Sequence, residues 1–299
     1  LPKWLAPLLR NSMTKQFYKN ANRTTKEVLQ ELTQNEKLLG VLTGQWGDHG
    51  LPPERSSFAM HAMVARHYLD GGNYPVGGSR MIAEYATDLI EKLGGKVVVS
   101  TGVDEILVHG RKVTGVRLEN GNELFADKVV SSAGLVNTVN TFLRNQPQFS
   151  KFKSKLKKVQ PTESYLCLYI GLKKSAKELG LKTTNLWIYP GYNHDKNIAD
   201  YQQDPDGDFP VVYVSFPSAK DPDWDKNHPG CATMEAITLG RWEWVEKWDK
   251  KPWKKRGNDY ENFKEEISQK ILNIVFKHVP NVKESLDHYE LSTPLSVRD

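Results

Sequence analysis

A pair of glycines, Gly77 and Gly78, followed by Ser79, is the clearest candidate for chemistry, because it directly precedes a helix predicted over residues 80–93. Glycine has no side chain, so the backbone of such a turn lets a ligand approach closely. The free N–H groups at the start of a helix also attract anions such as phosphate. A plain turn leading into a helix explains the same residues, so the pattern by itself leaves both interpretations open.

A loop over residues 44–53 presents Trp46 ahead of a helix predicted over residues 58–69. Its glycines and prolines predict irregular backbone, and loops held by a scaffold often carry functional side chains. Trp46 could equally fill the interior of its own domain, so both interpretations stay open. His61 and His67 do not share a helix face, which makes them poor partners for one metal ion, and no metal site is predicted.

Familiar catalytic patterns are missing from the sequence. It contains no recognisable pattern of a Ser, His and Asp catalytic triad, no zinc-ligand spacing and no P-loop. A Gly-x-Gly-x-x-Gly turn is also absent, since Gly44, Gly47 and Gly50 lie outside any strand-to-helix turn. Cys167 and Cys231 lie in apolar, strand-like segments, which favours buried structural thiols. No catalytic residue is assigned, and any redox chemistry would belong to a cofactor.

The composition is that of a globular protein with room for one or two domains. The 299 residues are 38% hydrophobic and 26% charged, which places the chain on the polar side of average. A net charge of +5 is too small an excess to indicate a nucleic-acid-binding surface. The sequence contains no apolar run long enough for a membrane-spanning helix. An apolar stripe with flanking basic residues over residues 1–19 predicts a helix packed on its own domain or a helix at a membrane surface.

The first half of the chain indicates helices followed by part of a nucleotide-binding domain. Besides the two helices above, a helix is predicted over residues 26–39, with Thr24 or Thr25 as its cap. Asn120 and Gly121 are a strong hairpin signal. The strands predicted after the Gly94–Gly95 stop cover residues 96–100, 105–108, 113–118, 123–125 and 127–132.

The second half indicates an antiparallel sheet with helices, because its helical connections are not regularly spaced as in a βαβ run. Residues 191–210 have the composition of a polar surface excursion. The tryptophan-rich segment 242–253 predicts either amphipathic packing or a rim for an apolar ligand or a membrane interface. A long amphipathic helix is predicted over residues 260–279. The predicted strands cover residues 164–172, 185–189, 211–215 and 232–239.

These patterns together predict a mixed α/β (α+β) fold with three parts. Residues 1–73 form a helical part that faces the substrate or a membrane. Residues 74–145 form part of a Rossmann-like domain. Residues 146–299 form a substrate domain with an antiparallel sheet and helices.

Several segments resemble the middle of the flavin-dependent amine-oxidase superfamily, within it the phytoene desaturase, carotenoid isomerase and retinol saturase branch. The segments similar to the branch as a whole are residues 74–79 (YPVGGS), 94–99 (GGKVVV) and 130–134 (VSSAG). The segments that most resemble the retinol saturases are residues 57–62 (SFAMHA), 216–222 (FPSAKDP) and 256–260 (RGNDY). The resemblance extends over nearly the whole chain.

This resemblance implies a flavin site and an apolar substrate. FAD would lie between a dinucleotide fold and its returning strands, with a long polyene under the flavin ring. The implied reaction is saturation, desaturation or isomerisation of conjugated C=C bonds, with NAD(P)H left open as the reductant and no nucleic-acid partner. The implied cofactor contacts are Gly77, Gly78, Ser79, Val103, Ser132, Ala133 and Gly134. The implied walls of the substrate site are Trp46, Met60, His61 and Tyr74.

The family's glycine-rich motif belongs before Leu1, and its last FAD-binding stretch belongs after Asp299. We therefore expect an internal fragment whose FAD site is incomplete and which is inactive when isolated. The expected location is intracellular, with a peripheral membrane contact left open. The rival expectation is a non-catalytic lipid-binding or membrane-surface module, which the basic amphipathic start and the tryptophan-rich segment favour.

Overall fold

The computed structural model describes residues 14–15, 17–159, 164–204 and 206–298. The chain divides into two compact units. We call the described part of Leu1–Met81 and Glu163–Asp299 the sheet unit, and the described part of Ile82–Thr162 the meander unit. The stripe predicted over residues 1–19 lies mostly outside the described residues. The domain boundaries predicted after residues 73 and 145 stay a prediction.

Helices and strands are mixed along the chain, which confirms the predicted α/β class. The strands are β1 (Val103–His109), β2 (Lys112–Leu118), β3 (Glu123–Phe125), β4 (Ser164–Leu172), β5 (Leu186–Ile188), β6 (Val212–Ser215), β7 (Ala232–Gly240) and β8 (Leu286–Ser292). The α-helices are α1 (Thr25–Gln30), α2 (Glu36–Leu42), α3 (Phe58–Leu69), α4 (Arg80–Lys92), α5 (Leu135–Asn137), α6 (Ser150–Leu156), α7 (His194–Gln203), α8 (Pro217–Lys220), α9 (Trp224–Asn227), α10 (Trp242–Val245), α11 (Asn258–His278) and α12 (Pro294–Arg298). Shorter 3-10 or π turns cover Trp46–Asp48, Thr138–Phe142, Pro147–Phe149, Glu246–Trp248 and Pro280–Ser285. Among the described helices, none is long and apolar enough to cross a bilayer.

The sheet unit is built on a five-stranded antiparallel sheet in the order β5, β6, β7, β4, β8. Side chains alternate between the two faces of a strand, and Leu166, Leu168 and Ile170 of β4 all lie in the core. Ile271 and Val275 of α11 belong to the same core and are fully buried. Each such side chain stabilises the unit by about 1.5–3 kcal/mol. The residues between them in β4 lie on the opposite face, which is only partly covered.

The predicted antiparallel sheet is confirmed, with one strand missed. β4 has the predicted bounds, β5 is one residue shorter at each end, and β6 and β7 differ from their predicted bounds by one residue at one end. The sequence did not indicate β8, because Asp287, His288 and Glu290 interrupt its apolar pattern. Among the described strands, β8 pairs with β4 alone and is therefore an edge strand, and edge strands tolerate such charges.

The prediction that residues 191–210 form only a polar surface excursion is wrong, because the segment contains α7. Ile198 and Tyr201 are one helical turn apart and both are buried. Asn193 caps the helix by accepting a hydrogen bond from the N–H of Lys196 at 3.0 Å. The polar residues around this narrow apolar stripe hide its period in the sequence.

The helix predicted over residues 26–39 is also wrong, since two helices, α1 and α2, replace it. Thr24 caps α1 through a reciprocal capping box with Glu27. Asn35 caps α2 by accepting the N–H of Leu38 at 3.2 Å. A second N-cap residue inside an otherwise helical run favours a new start over continuation.

The meander unit contains the antiparallel sheet β1–β2–β3, as predicted. The hairpin signal at Asn120 and Gly121 is confirmed, because these residues form the turn between β2 and β3. The buried carboxylate of Glu105 pairs with Arg117 at 2.6 Å and accepts a hydrogen bond from Asn145 at 3.0 Å. These two partners compensate its charge.

The strands predicted over residues 96–100 and 127–132 are absent, so these two predictions are wrong. Val98 is 62% exposed and Val130 is 97% exposed. A strand exists only where a neighbour accepts and donates its ladder hydrogen bonds. No described strand pairs with either segment, so their strand-like composition is not sufficient.

The tryptophan-rich segment packs amphipathically through most of its length. Trp248 lies in a small second core with Val245, Tyr260 and Leu295. Trp253 differs, since it is 63% exposed. The packing alternative is therefore confirmed for the first part of the segment, and the interface alternative stays a prediction for the region of Trp253.

Candidate functional site

The turn over residues 74–79 lies in the sheet unit and is held there by one buried carboxylate. The N–H of Gly77 donates to Oδ1 of Asp221 at 3.0 Å. Gly77 and Gly78 both have φ of 84°, which favours glycine. A Cβ on Gly77 would also lie 2.9 Å from the side chain of Met81. The turn therefore requires glycine for its backbone conformation and for its packing.

The segment that holds this turn is α8 and the residue after it, which coincide with the FPSAKDP motif. Asp221 also accepts a hydrogen bond from the N–H of Asp223 at 3.0 Å. Ser218 donates to the carbonyl of Thr233 at 3.1 Å and accepts from the N–H of Thr233 at 3.0 Å. Because Thr233 belongs to β7, the motif fastens the glycine turn to the central strand of the sheet.

A cavity of about 510 Å³ lies between the turn and the partly covered face of the sheet. Its walls combine glycine backbone, aromatic rings and charged groups. Tyr74 is half-buried in this wall, and Tyr169 is exposed on β4. The lining includes Tyr74, Gly77, Gly78, Ser79, Tyr169 and Glu235.

The charge of Glu235 influences the titration of its neighbours. Burial raises the pKa of Tyr74, and the charge of Glu235 adds to that effect. Burial also raises the pKa of Tyr213, where Glu235 contributes less. Burial lowers the pKa of Lys220, and Glu235 opposes that effect. The ammonium of Lys220 donates to Ser215 at 2.8 Å and lies 5.9 Å from the ring centre of Tyr74. Of these groups, Tyr74 lines the cavity itself, and a perturbed group in a cavity is typical of a functional site.

The same face of the sheet carries an apolar row that crosses β5, β6, β7 and β4. Trp187 and Tyr213 are paired across β5 and β6, with ring centres 4.7 Å apart. Tyr213 lies opposite Ile237, which lies opposite Cys167. Burial raises the pKa of the Cys167 thiol to about 11, so this thiol is a packing group rather than a nucleophile. Aromatic and aliphatic side chains with a few polar groups suit an apolar ligand.

The predicted substrate walls do not all meet at this cavity. Tyr74 lines it. Trp46 is 1% exposed and belongs to the core of the sheet unit, which favours the interpretation that it fills the interior of its own domain. His61 is buried on α3, and burial lowers its pKa, whereas the neighbouring Met60 is exposed. Both cysteines are free and half-buried, rather than fully buried as predicted.

The predicted cofactor contacts fall in both units. Gly77, Gly78 and Ser79 belong to the sheet unit, and the others belong to the meander unit. Val103 is the first residue of β1 and pairs with Leu118. Ser132, Ala133 and Gly134 directly precede α5. Gly134 is the N-cap residue of that helix and has a φ of 84°.

Each unit, taken by itself, presents glycine backbone that a cofactor could approach. Gly77 and Gly78 expose glycine backbone to the cavity. A Cβ on Gly134 would meet no atom within 4 Å, so open space lies beside that backbone. Backbone of this kind suits the close approach of a ring or a phosphate. The described residues contain no Gly-x-Gly-x-x-Gly turn for the pyrophosphate.

Lys220, Asp221 and Glu235 are not among the site residues predicted from the sequence. The FPSAKDP motif was singled out for its resemblance, and its polar residues could have been added to the site on that ground. Glu235 had a weaker signal, a lone carboxylate in an otherwise apolar and hydroxyl-rich strand. Neither signal shows that these residues meet Tyr74, because the contact joins distant parts of the chain.

Solved structures establish the fold class. A crystal structure of an oxidoreductase from Methanosarcina mazei matches 97% of this chain and 60% of its own, with a TM-score of 0.66 and 16% identity. A protein from Pyrococcus furiosus matches 91% of this chain and 58% of its own, with a TM-score of 0.60 and 16% identity. At these identities the likeness shows a shared fold alone, and no family model matches the chain.

Curated relatives define the family. An all-trans-retinol 13,14-reductase from Danio rerio is 35% identical over 297 residues, which cover 96% of this chain and 49% of the relative. An inactive all-trans-retinol 13,14-reductase from the same organism is 30% identical over 313 residues, covering 99% and 51%. A phytoene desaturase from Neurospora crassa is 33% identical over 181 residues, covering 58% and 30%.

The chain therefore belongs to the retinol saturase, phytoene desaturase and carotenoid isomerase branch that its motifs resemble. It spans about half the length of the retinol reductases that it matches.

Proposed function

We propose that the chain is part of a flavin-dependent oxidoreductase that acts on conjugated C=C bonds of a retinoid or carotenoid. The observation that supports this most is the cavity at which the Gly77–Gly78 turn meets the sheet face that carries Tyr169. Glycine backbone suits a planar cofactor, and the rings of Tyr74, Tyr169 and Trp224 in the cavity wall suit an apolar polyene. Membership of the branch adds the reaction class: saturation, desaturation or isomerisation.

In this proposal the protein binds and orients, and FAD supplies the two-electron chemistry at the C=C bond when it is bound. Tyr74 and the apolar row of the sheet hold the polyene and exclude water. Met60 and His61 remain proposed walls, and Trp46 supports the site from the core. NAD(P)H is the proposed source of electrons for saturation. The proposed cofactor contacts are Gly77, Gly78, Ser79, Val103, Ser132, Ala133 and Gly134.

The test begins with the protein encoded by the full open reading frame. We expect it to purify yellow, with a flavin absorption band and FAD that is released on denaturation. Incubation with all-trans-retinol and with a lycopene-type carotenoid, followed by product analysis, then distinguishes saturation, desaturation and isomerisation. A colourless protein that retains no FAD contradicts the proposal. Product analysis is essential because one relative of similar identity is named as inactive.

A second candidate function, a membrane-surface module, has its own observation. The loop after α10 exposes Lys250, Lys254 and Lys255 around the exposed ring of Trp253. The ammonium of Lys254 lies 4.6 Å from the ring centre of Trp253. Lysines attract anionic headgroups, and tryptophan is favoured at the level of the headgroups. An intracellular location with peripheral membrane contact belongs to this candidate, and it is compatible with the enzyme proposal.

Liposome co-sedimentation tests the second candidate. Binding should rise with the fraction of anionic lipid and fall with salt, and Trp253→Ala with Lys254→Glu should weaken it. The matched control is Lys174→Glu with Lys177→Glu, two exposed lysines of the same unit that have no exposed tryptophan between them. Binding that ignores anionic lipid, or equal loss in both double variants, contradicts a role for this loop.

A further inference from the structure

Glu235 lines the cavity of the candidate site. It belongs to β7, the central strand of the sheet. Its neighbours in the strand, Met234 and Ala236, are fully buried in the core, so alternation directs Glu235 to the opposite face. Across the neighbouring strands it lies between Tyr169 and Ser215. The side chain is half-buried and lines the cavity.

Glu235 has no hydrogen-bond or ion-pair partner within the described part of the chain. Among those residues, none donates a hydrogen bond to its carboxylate and none forms an ion pair with it. Lys220 is close enough to feel its charge, but its ammonium donates to Asn185 and Ser215 instead. A half-buried charge without a partner is unfavourable. A group of this kind is typical of a binding site, where a ligand supplies the missing hydrogen-bond donor.

The walls of the cavity indicate which kind of ligand would donate a hydrogen bond to Glu235. Tyr74 and Tyr169 present rings, and the Gly77–Gly78 turn presents backbone. A pure hydrocarbon would leave the carboxylate without a hydrogen-bond donor. An apolar chain that ends in a hydroxyl satisfies both parts of the cavity, because the hydroxyl is a hydrogen-bond donor.

We propose that Glu235 accepts a hydrogen bond from the terminal hydroxyl of a polyene alcohol and so determines the specificity of the site. This inference rests on the proposed function, which supplies the polyene. In all-trans-retinol the hydroxyl is on the carbon next to C14, so an acceptor for it must lie close to a reacting 13,14 bond. Glu235 and the Gly77–Gly78 turn, the proposed flavin contact, line the same cavity.

Equilibrium binding to the full-length protein tests the assignment, with all-trans-retinol and retinyl methyl ether as ligands and retinoid fluorescence as the readout. The ether keeps the polyene but cannot donate a hydrogen bond. We expect the alcohol to bind about 10- to 100-fold more tightly, the range for one hydrogen bond to a charged group. Glu235→Leu should bring the ratio close to one. Glu235→Gln should keep a smaller preference, because its amide oxygen still accepts.

Glu290→Leu is the matched control. Glu290 lies opposite Tyr169 on the other side of β4, but its side chain is 69% exposed and does not line the cavity. This variant should keep the wild-type preference. Thermal unfolding of each variant checks that it folds. If Glu235→Leu does not fold, Glu235→Gln alone tests the assignment.

Three results overturn the assignment: no retinol binding, equal affinity of the wild type for both ligands, or an unchanged preference in the folded Glu235 variants. The measurement needs neither flavin nor turnover, so it is separable from the proposed function. A flavin-free protein that prefers the alcohol through Glu235 contradicts the enzyme proposal alone. An active flavoprotein whose preference survives in the Glu235 variants contradicts this inference alone.

Discussion

A single carboxylate, that of Asp221, connects the glycine turn to the sheet. It is buried and accepts backbone hydrogen bonds from Gly77 and Asp223. Hydrogen bonds to a charged acceptor contribute about 1.5–3 kcal/mol each. Asp221→Ala should therefore lower the free energy of unfolding by at least about 2 kcal/mol. Denaturant titration of the chain measures this loss.

Asp225 is the control for that prediction, because it is a nearby aspartate with an exposed side chain. Asp225→Ala should change the free energy of unfolding by no more than about 0.5 kcal/mol. Asp221→Asn should lie between the two, since an amide keeps one oxygen acceptor without the charge. Equal effects of the two alanine variants would show that the Asp221 hydrogen bonds do not stabilise the unit.

The residues of the site show the limit of what sequence can predict. Gly77 and Gly78 were identifiable because their chemistry is local, namely a turn that precedes a helix. Glu235 was not, because its importance depends on Tyr74 and Tyr169, which reach it from elsewhere in the chain. A partly buried charge without a partner is a property of the fold and has no signature in neighbouring residues.

Between elements, the ring of His194 joins α7 to α2. Its Nε2–H donates to the carbonyl of Gly40 at 2.9 Å, and its ring centre lies 4.3 Å from that of Tyr189. The other nitrogen, Nδ1, is buried and has no hydrogen-bond partner among the described residues. The neutral ring suits this environment, and burial lowers the pKa of His194.

The stability of the chain should therefore fall in mild acid. The unfolded chain takes up a proton on this ring near pH 6.5, and the folded chain only at lower pH. Below about pH 6.5 protonation thus favours the unfolded state, and the stability present above that pH is lost progressively. We expect the urea midpoint to drop between pH 7.5 and pH 5.5, and His194→Asn to reduce the drop.

The reduction in His194→Asn should be partial, because burial also lowers the pKa of His49 and His61. His67 is the control, since it is an exposed histidine. His67→Asn should leave the pH dependence of the midpoint unchanged. A full acid-induced drop in the His194 variant would show that this ring is not responsible.

Elements were predictable where their signals are local. The Asn120–Gly121 turn and the alternation in β4 are carried by adjacent residues, and both are confirmed. The strand predicted over residues 96–100 failed, although valines fill it, because strand formation requires a partner elsewhere. In residues 191–210 the sequence missed a helix that does form. Ile198 and Tyr201 make an apolar stripe that is too narrow to be recognised among polar neighbours.

On the scale of the whole molecule, apolar exposure affects its behaviour in solution. Val98 and Val130 are exposed in extended segments that pair with no described strand. Unpaired, apolar, extended backbone promotes self-association. Val98→Ser with Val130→Ser should reduce light scattering by the concentrated chain and leave its unfolding temperature unchanged.

Ile106→Ser is the comparison for that variant, because Ile106 is a buried core residue of β1. It should lower the unfolding temperature through lost burial and a buried hydroxyl. If the double valine variant destabilises the chain to the same extent, both valines are covered in solution.

The hydrogen bonds of the FPSAKDP motif also set an order of events during folding. Ser218 and Thr233 are 15 residues apart, whereas Gly77 and Asp221 are separated by 144 residues. Closing a long loop costs more conformational entropy and takes longer than closing a short one. The motif should thus be in place on β7 before the glycine turn reaches it. In refolding kinetics, recovery of core tryptophan fluorescence should precede recovery of retinoid binding.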